Sequence, residues 1–114
     1  MSKRSLGEKG EEIAVRFLKK KRIKILERNF RTPYGEIDII GTDGKKVRFI
    51  EVKTRSSEKF GKPFEAVNKS KLRHIKNSAL FYLNGKDTDF EIDVISVLID
   101  EKGNEKIEYI ENVF

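Results

Sequence analysis

Residues 34–55 read YGEIDIIGTDGKKVRFIEVKTR, two alternating runs joined by Asp43-Gly44, with acids where a core strand would carry apolar groups. The first run is Gly35-Glu36-Ile37-Asp38-Ile39-Ile40 and the second is Val47-Arg48-Phe49-Ile50-Glu51-Val52-Lys53-Thr54. An Asp-Gly pair between such runs predicts a hairpin, because a type I′ turn needs positive φ at both central residues. A turn centred there sets Glu36 opposite Glu51 and Asp38 opposite Phe49. Side chains alternate along a strand, so Glu36, Asp38, Glu51 and Lys53 then share one face. Ile37, Ile39, Ile50 and Val52 give the other face a core, while Ile40 and Phe49 predict that the acidic face is partly covered too.

Three carboxylates and one amine on one face have two readings. Diagonal neighbours across an antiparallel pair lie roughly 7–8 Å apart, so Asp38 and Glu51 can reach a single cation held between them. Without a cation, like charges this close repel and raise one another's pKa. Oxygen ligands of this kind suit a hard ion, Mg²⁺ or Mn²⁺, held by one or two carboxylates together with waters and phosphate oxygens. The plainer reading is the solvated face of an edge hairpin, with Lys53 neutralising Glu51.

The whole chain narrows the choice. Its 114 residues suffice for a single domain with a modest core, expected to fold alone or as a dimer. A formal charge of +6 and a pI near 9.5 favour a polyanionic partner, without separating DNA from RNA or from an acidic membrane surface. The absence of cysteine excludes disulfides and thiolate metal sites, and the single histidine, His74, excludes a His-cluster zinc site, so any metal must bind oxygen. Acids at Glu8, Glu11 and Glu12 stand where a secretory signal would be apolar, and no apolar run has the length of a membrane span. The expected location is the cytoplasm, with no membrane partner.

Around the acidic hairpin, Ser5 and Glu8 read as a capping box opening a helix to about Lys20, with Ile13, Ala14, Phe17 and Leu18 as its buried stripe. Gly7, Gly10 and Ala14 would let this helix approach another backbone closely, and Glu11 sits among them; by pattern alone it is a solvated helix acid. Lys19-Lys20-Lys21-Arg22 reads equally as a helix end favourable to the dipole or as a phosphate-contacting rim with Lys20 and Lys21 at its centre. A strand from about Ile23 to Phe30 and a turn at Thr32-Pro33-Tyr34-Gly35 lead into the acidic strand. Beyond Arg55, Ser56 to Lys62 is a loop that either closes over nucleic acid or merely connects. A second helix runs to Leu83, stopped by Asn84-Gly85, with Lys69, Lys71, Arg73, His74 and Lys76 on its exposed side. Strands at Glu91–Ile99 and Lys106–Ile110 follow; Asp93 reads as a supporting group of the site or a hydrogen-bonding strand-end residue. The order helix, three strands, helix, two strands predicts an α/β or α+β fold, with a mixed central sheet flanked by helices.

Asp38 followed by Glu51-Val52-Lys53 resembles the D…(E/D)-x-K signature of the restriction-endonuclease-like, or PD-(D/E)XK, nuclease superfamily, although Ile37 and not proline precedes Asp38. More narrowly, Gly7-x-x-Gly10-Glu11-x-x-Ala14, Arg28-Asn29, Gly35-Glu36-Ile37-Asp38 and Phe49 to Arg55 are similar to the bacterial YraN-like family, related to archaeal Holliday-junction resolvases. The resemblance implies an αβββαβ core. It also implies a Mg²⁺- or Mn²⁺-dependent nuclease acting on DNA, with branched or flapped structures among the candidate substrates. Asp38, Glu51 and the Val52 carbonyl would hold the metal, and a helix-borne Glu11 would complete the acidic set. Lys53 would orient or activate the attacking water or neutralise the phosphate. Glu36, Arg55 and Lys71 are candidates for site support or phosphate contact, with Lys69 and Arg73 beside Lys71 on the nucleic-acid surface. The competing expectation is a nucleic-acid-binding module that keeps the fold but does not cleave in isolation.

Overall fold

The computed structural model describes residues 5–56 and 68–114. The expected loop lies, beyond Ser56, outside the described residues, and so does its suggested closure over nucleic acid. The elements are α1 (Leu6–Lys20), β1 (Lys24–Thr32), β2 (Gly35–Thr42), β3 (Val47–Arg55), α2 (Lys69–Leu83), β4 (Phe90–Ile99) and β5 (Glu105–Ile110). This is the expected α+β order, an αβββαβ succession with one further strand.

Local chemistry sets the helix ends. Ser5 Oγ accepts from the Glu8 amide at 3.1 Å and donates to Glu8 Oε1 at 3.2 Å, satisfying an amide that the first turn of α1 would leave unpaired. Asn68 does the same for Lys71 at the start of α2, at 2.9 Å. Asn84, in the left-handed region, ends α2 with its amide on the Leu80 carbonyl.

The five strands lie in sequence order, with β3 and β4 parallel and every other pair antiparallel. The parallel pair needs a crossover, and α2 provides it. Each helix closes one face of the sheet. Ile13, Ala14, Val15 and Leu18 of α1 pack on Ile39, Ile50, Ile95 and Val97, while Ile75, Ala79 and Leu83 of α2 pack on Ile40, Phe49 and Ile92. Residues 92–97 of β4 are all buried, which explains why that strand is apolar on both parities. No helix among the described residues is long and apolar enough to cross a membrane.

The β2–β3 hairpin differs from expectation in register. Ile39 pairs with Ile50, Ile40 with Phe49, Gly41 with Arg48 and Thr42 with Val47. The loop therefore runs from Asp43 to Lys46 and is not a two-residue type I′ turn. Asp43 Oδ1 accepts from the amides of Lys45 and Lys46 at 2.8 and 2.9 Å, and Thr42 Oγ1 donates to the Lys46 carbonyl at 2.7 Å. This local bonding stabilises the longer loop and moves the register by two residues. Asp38 is brought next to Glu51 instead of Phe49, and Glu36 loses Glu51 as a partner. A shift by two preserves the faces, where a shift by one would have reversed them.

A second difference concerns Ile37. It packs with Ile40, Phe49 and α2, whereas Ile39, two residues on, packs against α1. Residues two apart on a regular strand share a face. The alternation breaks at Asp38, which sits opposite Asn29 between the ladder pairs Arg28–Ile39 and Phe30–Ile37. Asn29 has φ 49, inside a strand. Asp38 thus lies at a kink between the two faces.

Candidate functional site

The β2–β3 ladder extends no further than Ile39–Ile50, and the next residue of each strand is acidic. Asp38 Oδ2 accepts a 2.8 Å hydrogen bond from the Val52 amide, so the side chain bridges a gap that backbone pairing has left. The N–H and C=O of one strand residue point to the same side of the strand, so the Val52 carbonyl faces this gap as well. Glu51 is buried at 5% exposure, and its Oε1 meets Lys53 Nζ at 3.6 Å and Lys71 Nζ at 3.4 Å. Lys53 lies two residues along the same strand; Lys71 comes from the first turn of α2.

Glu11 reaches the region from α1 through a close approach. A Cβ on the neighbouring Gly10 would stand 1.8 Å from Thr54 Oγ1, so glycine is what lets α1 rest on the end of β3. Glu11 Oε1 accepts from Asn29 Nδ2 at 2.8 Å. Burial pushes the Asp38 carboxyl up to about 7, and Glu51 adds to the rise. The Val52 amide opposes it, Glu11 adds a further push upward, and Lys71 pulls downward. A carboxyl of raised proton affinity beside a second, buried acid forms a place that favours a proton or a cation.

The structure thus brings together Glu11, Asp38, Glu51, Val52, Lys53 and Lys71. Arg55 ends the same strand as Lys53. Glu36 stands apart from Glu51, lining with Glu11, Asn29, Arg28 and Arg31 an open cleft of about 650 Å³ between α1 and the β1–β2 edge. Lys20 and Lys21 lie nine and ten residues along α1 from Glu11, about 14 Å at 1.5 Å per residue. Lys21 there stacks over Phe17. Lys69 and Arg73 stand on the outer side of α2, flanking a cavity of about 280 Å³ beside Phe114. The cations of α2 therefore do not form a single exposed face: Lys71 turns inward to Glu51, and Lys76 covers the Phe114 ring.

Asp93 does not support this site. It pairs with Ile50, one residue from Glu51, but is fully buried on the opposite, α1-covered face of the sheet, where its Oδ2 accepts from Arg48 at 3.1 Å and from the Tyr109 hydroxyl at 2.5 Å, and its Oδ1 from the Asn112 amide at 2.9 Å. Arg48 also meets Asp43, Glu91 and Glu111 within 3.2 Å. An arginine in the apolar run of β3 and two acids at the start of β4 were the sequence signal for this network.

Two carboxylates and a backbone carbonyl are hard oxygen donors of the type that Mg²⁺ and Mn²⁺ take. Among the described residues, no three acids or histidines stand close enough together to hold an ion. Glu11, held on Asn29, is thus a nearby acid and not a third member of a closed cage.

The description "uncharacterised protein family UPF0102" belongs to a family model that matches residues 10–97, a span containing Glu11, Asn29, Asp38, Glu51, Lys53 and Lys71. The chain belongs to UPF0102. A UPF0102 protein of Thermodesulfovibrio yellowstonii is 46% identical over 114 residues, covering all of this chain and 99% of that protein. One from Syntrophomonas wolfei is 46% identical, covering 97% and 98%, and one from Caldicellulosiruptor saccharolyticus is 45% identical over the full length of both. This is the YraN-like family that the motifs resembled, and the UPF0102 name itself carries no activity.

Proposed function

We propose that this UPF0102 protein is a divalent-metal-dependent nuclease of the restriction-endonuclease-like superfamily, acting on DNA, with branched or flapped structures as candidate substrates. The observation that carries the reading is the meeting of Asp38 and Glu51 where β2 and β3 separate, with Lys53 and Lys71 both drawn onto Glu51. A generic charged hairpin would leave its acids in water, whereas this one buries Glu51 and raises the proton affinity of Asp38. Asp38, Glu51 and the Val52 carbonyl would hold Mg²⁺ or Mn²⁺, with Glu11 close by. A bound ion there would supply acidification of the attacking water and charge neutralisation on the phosphate.

The remaining work falls to the chain itself. The Val52 amide fixes the Asp38 carboxylate and keeps it from turning out to solvent. Lys53 and Lys71 screen Glu51 while the site is empty of cations. Once the charge of Glu51 is engaged elsewhere, their ammonium groups are available to the phosphate and to the charge that grows on it during hydrolysis. Arg55, Lys69 and Arg73 extend this positive field beyond the site, contacting phosphates without reading sequence.

A second reading, a nucleic-acid-binding module without cleavage of its own, draws support from the absence of a three-acid cluster among the described residues. One screen separates the two: incubation of the purified protein with single-stranded, duplex, flapped and four-way-junction DNA, and with RNA, in Mg²⁺ and in Mn²⁺. Metal-dependent products from any member support the nuclease. Salt-sensitive binding to the whole panel without products supports the module.

A further inference from the structure

We propose that Asn29 is the positioning residue of this site, its left-handed backbone carrying the kink that aims Asp38 into the β2–β3 gap and its carboxamide holding Glu11 toward the same place. The inference rests on reading Asp38 and Glu51 as a metal site, and it adds a residue for which that reading gave no role. Among the described residues the non-glycine positions with positive φ are Arg22, Asn29, Asn84 and Asn112, and only Asn29 lies inside a strand. Left-handed backbone in mid-strand is unfavourable for an L-residue and persists where surrounding structure demands it. The demand is visible in the ladder. Asn29 and Asp38 face each other between two regular pairs, and at this step Ile39 and Ile37 part to opposite sides of the sheet.

The side chain completes the case. A carboxylate accepts only, so the group that Asn29 turns to Glu11 is its amide nitrogen, at 2.8 Å. Glycine would tolerate the backbone but offers no donor. Aspartate would tolerate it but would set a third negative charge against Glu11 and Asp38. Alanine satisfies neither need. Asparagine is the residue type that takes the left-handed conformation at modest cost and still donates to a carboxylate.

The test compares wild type, Asn29→Gly and Asn29→Ala for Mn²⁺ affinity by calorimetry, each also in a Glu11→Ala background, with melting temperatures recorded in parallel. Asn29→Gly should keep the melting temperature near wild type and bind Mn²⁺ about tenfold more weakly, as loss of an outer partner of a metal-site acid does. Asn29→Ala should lose more affinity than Asn29→Gly, because the disturbed kink also moves Asp38, and should melt lower. In the Glu11→Ala background Asn29→Gly should cost nothing further, because the two residues act as one unit. Wild-type affinity in Asn29→Gly, or an undiminished tenfold loss without Glu11, overturns the inference. Mn²⁺ binding that depends on Asn29 in a protein that cleaves nothing would sink the nuclease and leave Asn29 in this role. Cleavage that ignores Asn29 would do the reverse, and a wild type that binds no Mn²⁺ overturns both.

Discussion

Asp38 and Val52 are joined by a side chain-to-backbone hydrogen bond of 2.8 Å across two strands that have stopped pairing. The bond ties an acid to the strand that carries Glu51 and Lys53, and it holds that acid where burial and the Glu51 charge push its pKa from 3.8 up to about 7. An acid whose folded pKa exceeds its unfolded value binds its proton more tightly when folded. Its metal-free stability is therefore full below about pH 4 and is lost as pH rises through 7. Asp38→Asn, which mimics the protonated form, should match wild type near pH 4 and gain steadily to pH 7. The gain should level off above pH 8 on the order of 4 kcal/mol, the worth of a shift from 3.8 to about 7. Thermal melts in chelator across pH 4–9 check this; a constant difference at all pH values would show that Asp38 is not held against Glu51.

Lys71 pulls the Asp38 carboxyl in the opposite direction. Lys71→Met should raise the Asp38 titration midpoint further, as followed by carbon-detected NMR of the side-chain carboxyl. An unchanged or lower midpoint would mean that Lys71 spends its time in solvent and not on Glu51.

Gly10 is the point where α1 touches β3. Gly10→Ala places a Cβ within 2.7 Å of Thr54 Cβ and Cγ2 and closer still to Oγ1, so the helix must lift or the strand end must move. Overpacking of this sort costs about 1–3 kcal/mol, more than the helix propensity that alanine returns. Urea unfolding should show a net loss, accompanied by weaker Mn²⁺ binding because Glu11 moves with the helix. A stabilised variant would place α1 further from the sheet than described.

The order of elements was readable from periodicity and caps: Ser5 with Glu8 starts α1, Asn84 ends α2, and both helices fall within a residue or two of expectation. That Glu51 and Lys53 share a face was readable too, since it depends only on parity within β3; the place of Asp38 was not, because the alternation of β2 breaks there. The register was not, because the reading took Asp43-Gly44 as a whole turn, whereas Asp43 bonds to the next two amides and lengthens the loop. The kink at Asn29 was hidden for a different reason. A left-handed residue within a strand is imposed by neighbours on two other elements and leaves no periodic trace. Periodicity grouped Lys71 with solvent-facing cations, and only the resemblance made it a candidate for site support, because helix periodicity does not show which buried acid the opposite sheet presents.

Arg48 provides a control on the face of β3 opposite the proposed chemistry. It meets Asp43, Glu91, Asp93 and Glu111, and Asp93 is fully buried. Arg48→Met leaves Asp93 without its cation and should cost about 3–5 kcal/mol in urea unfolding. Mn²⁺ affinity measured below the unfolding transition should be unchanged; a parallel loss of both would mean that the two faces of β3 are coupled.

Single-turnover cleavage in Mn²⁺, comparing wild type with Glu51→Gln purified identically, tests the central claim most directly. Glu51→Gln removes one carboxylate charge from the pair while keeping the side-chain shape. The variant should cleave none of the flapped, branched, duplex or single-stranded substrates that wild type cleaves, while binding them as tightly or more tightly. Equal cleavage by the two proteins would contradict it, placing the activity outside the Asp38–Glu51 pair.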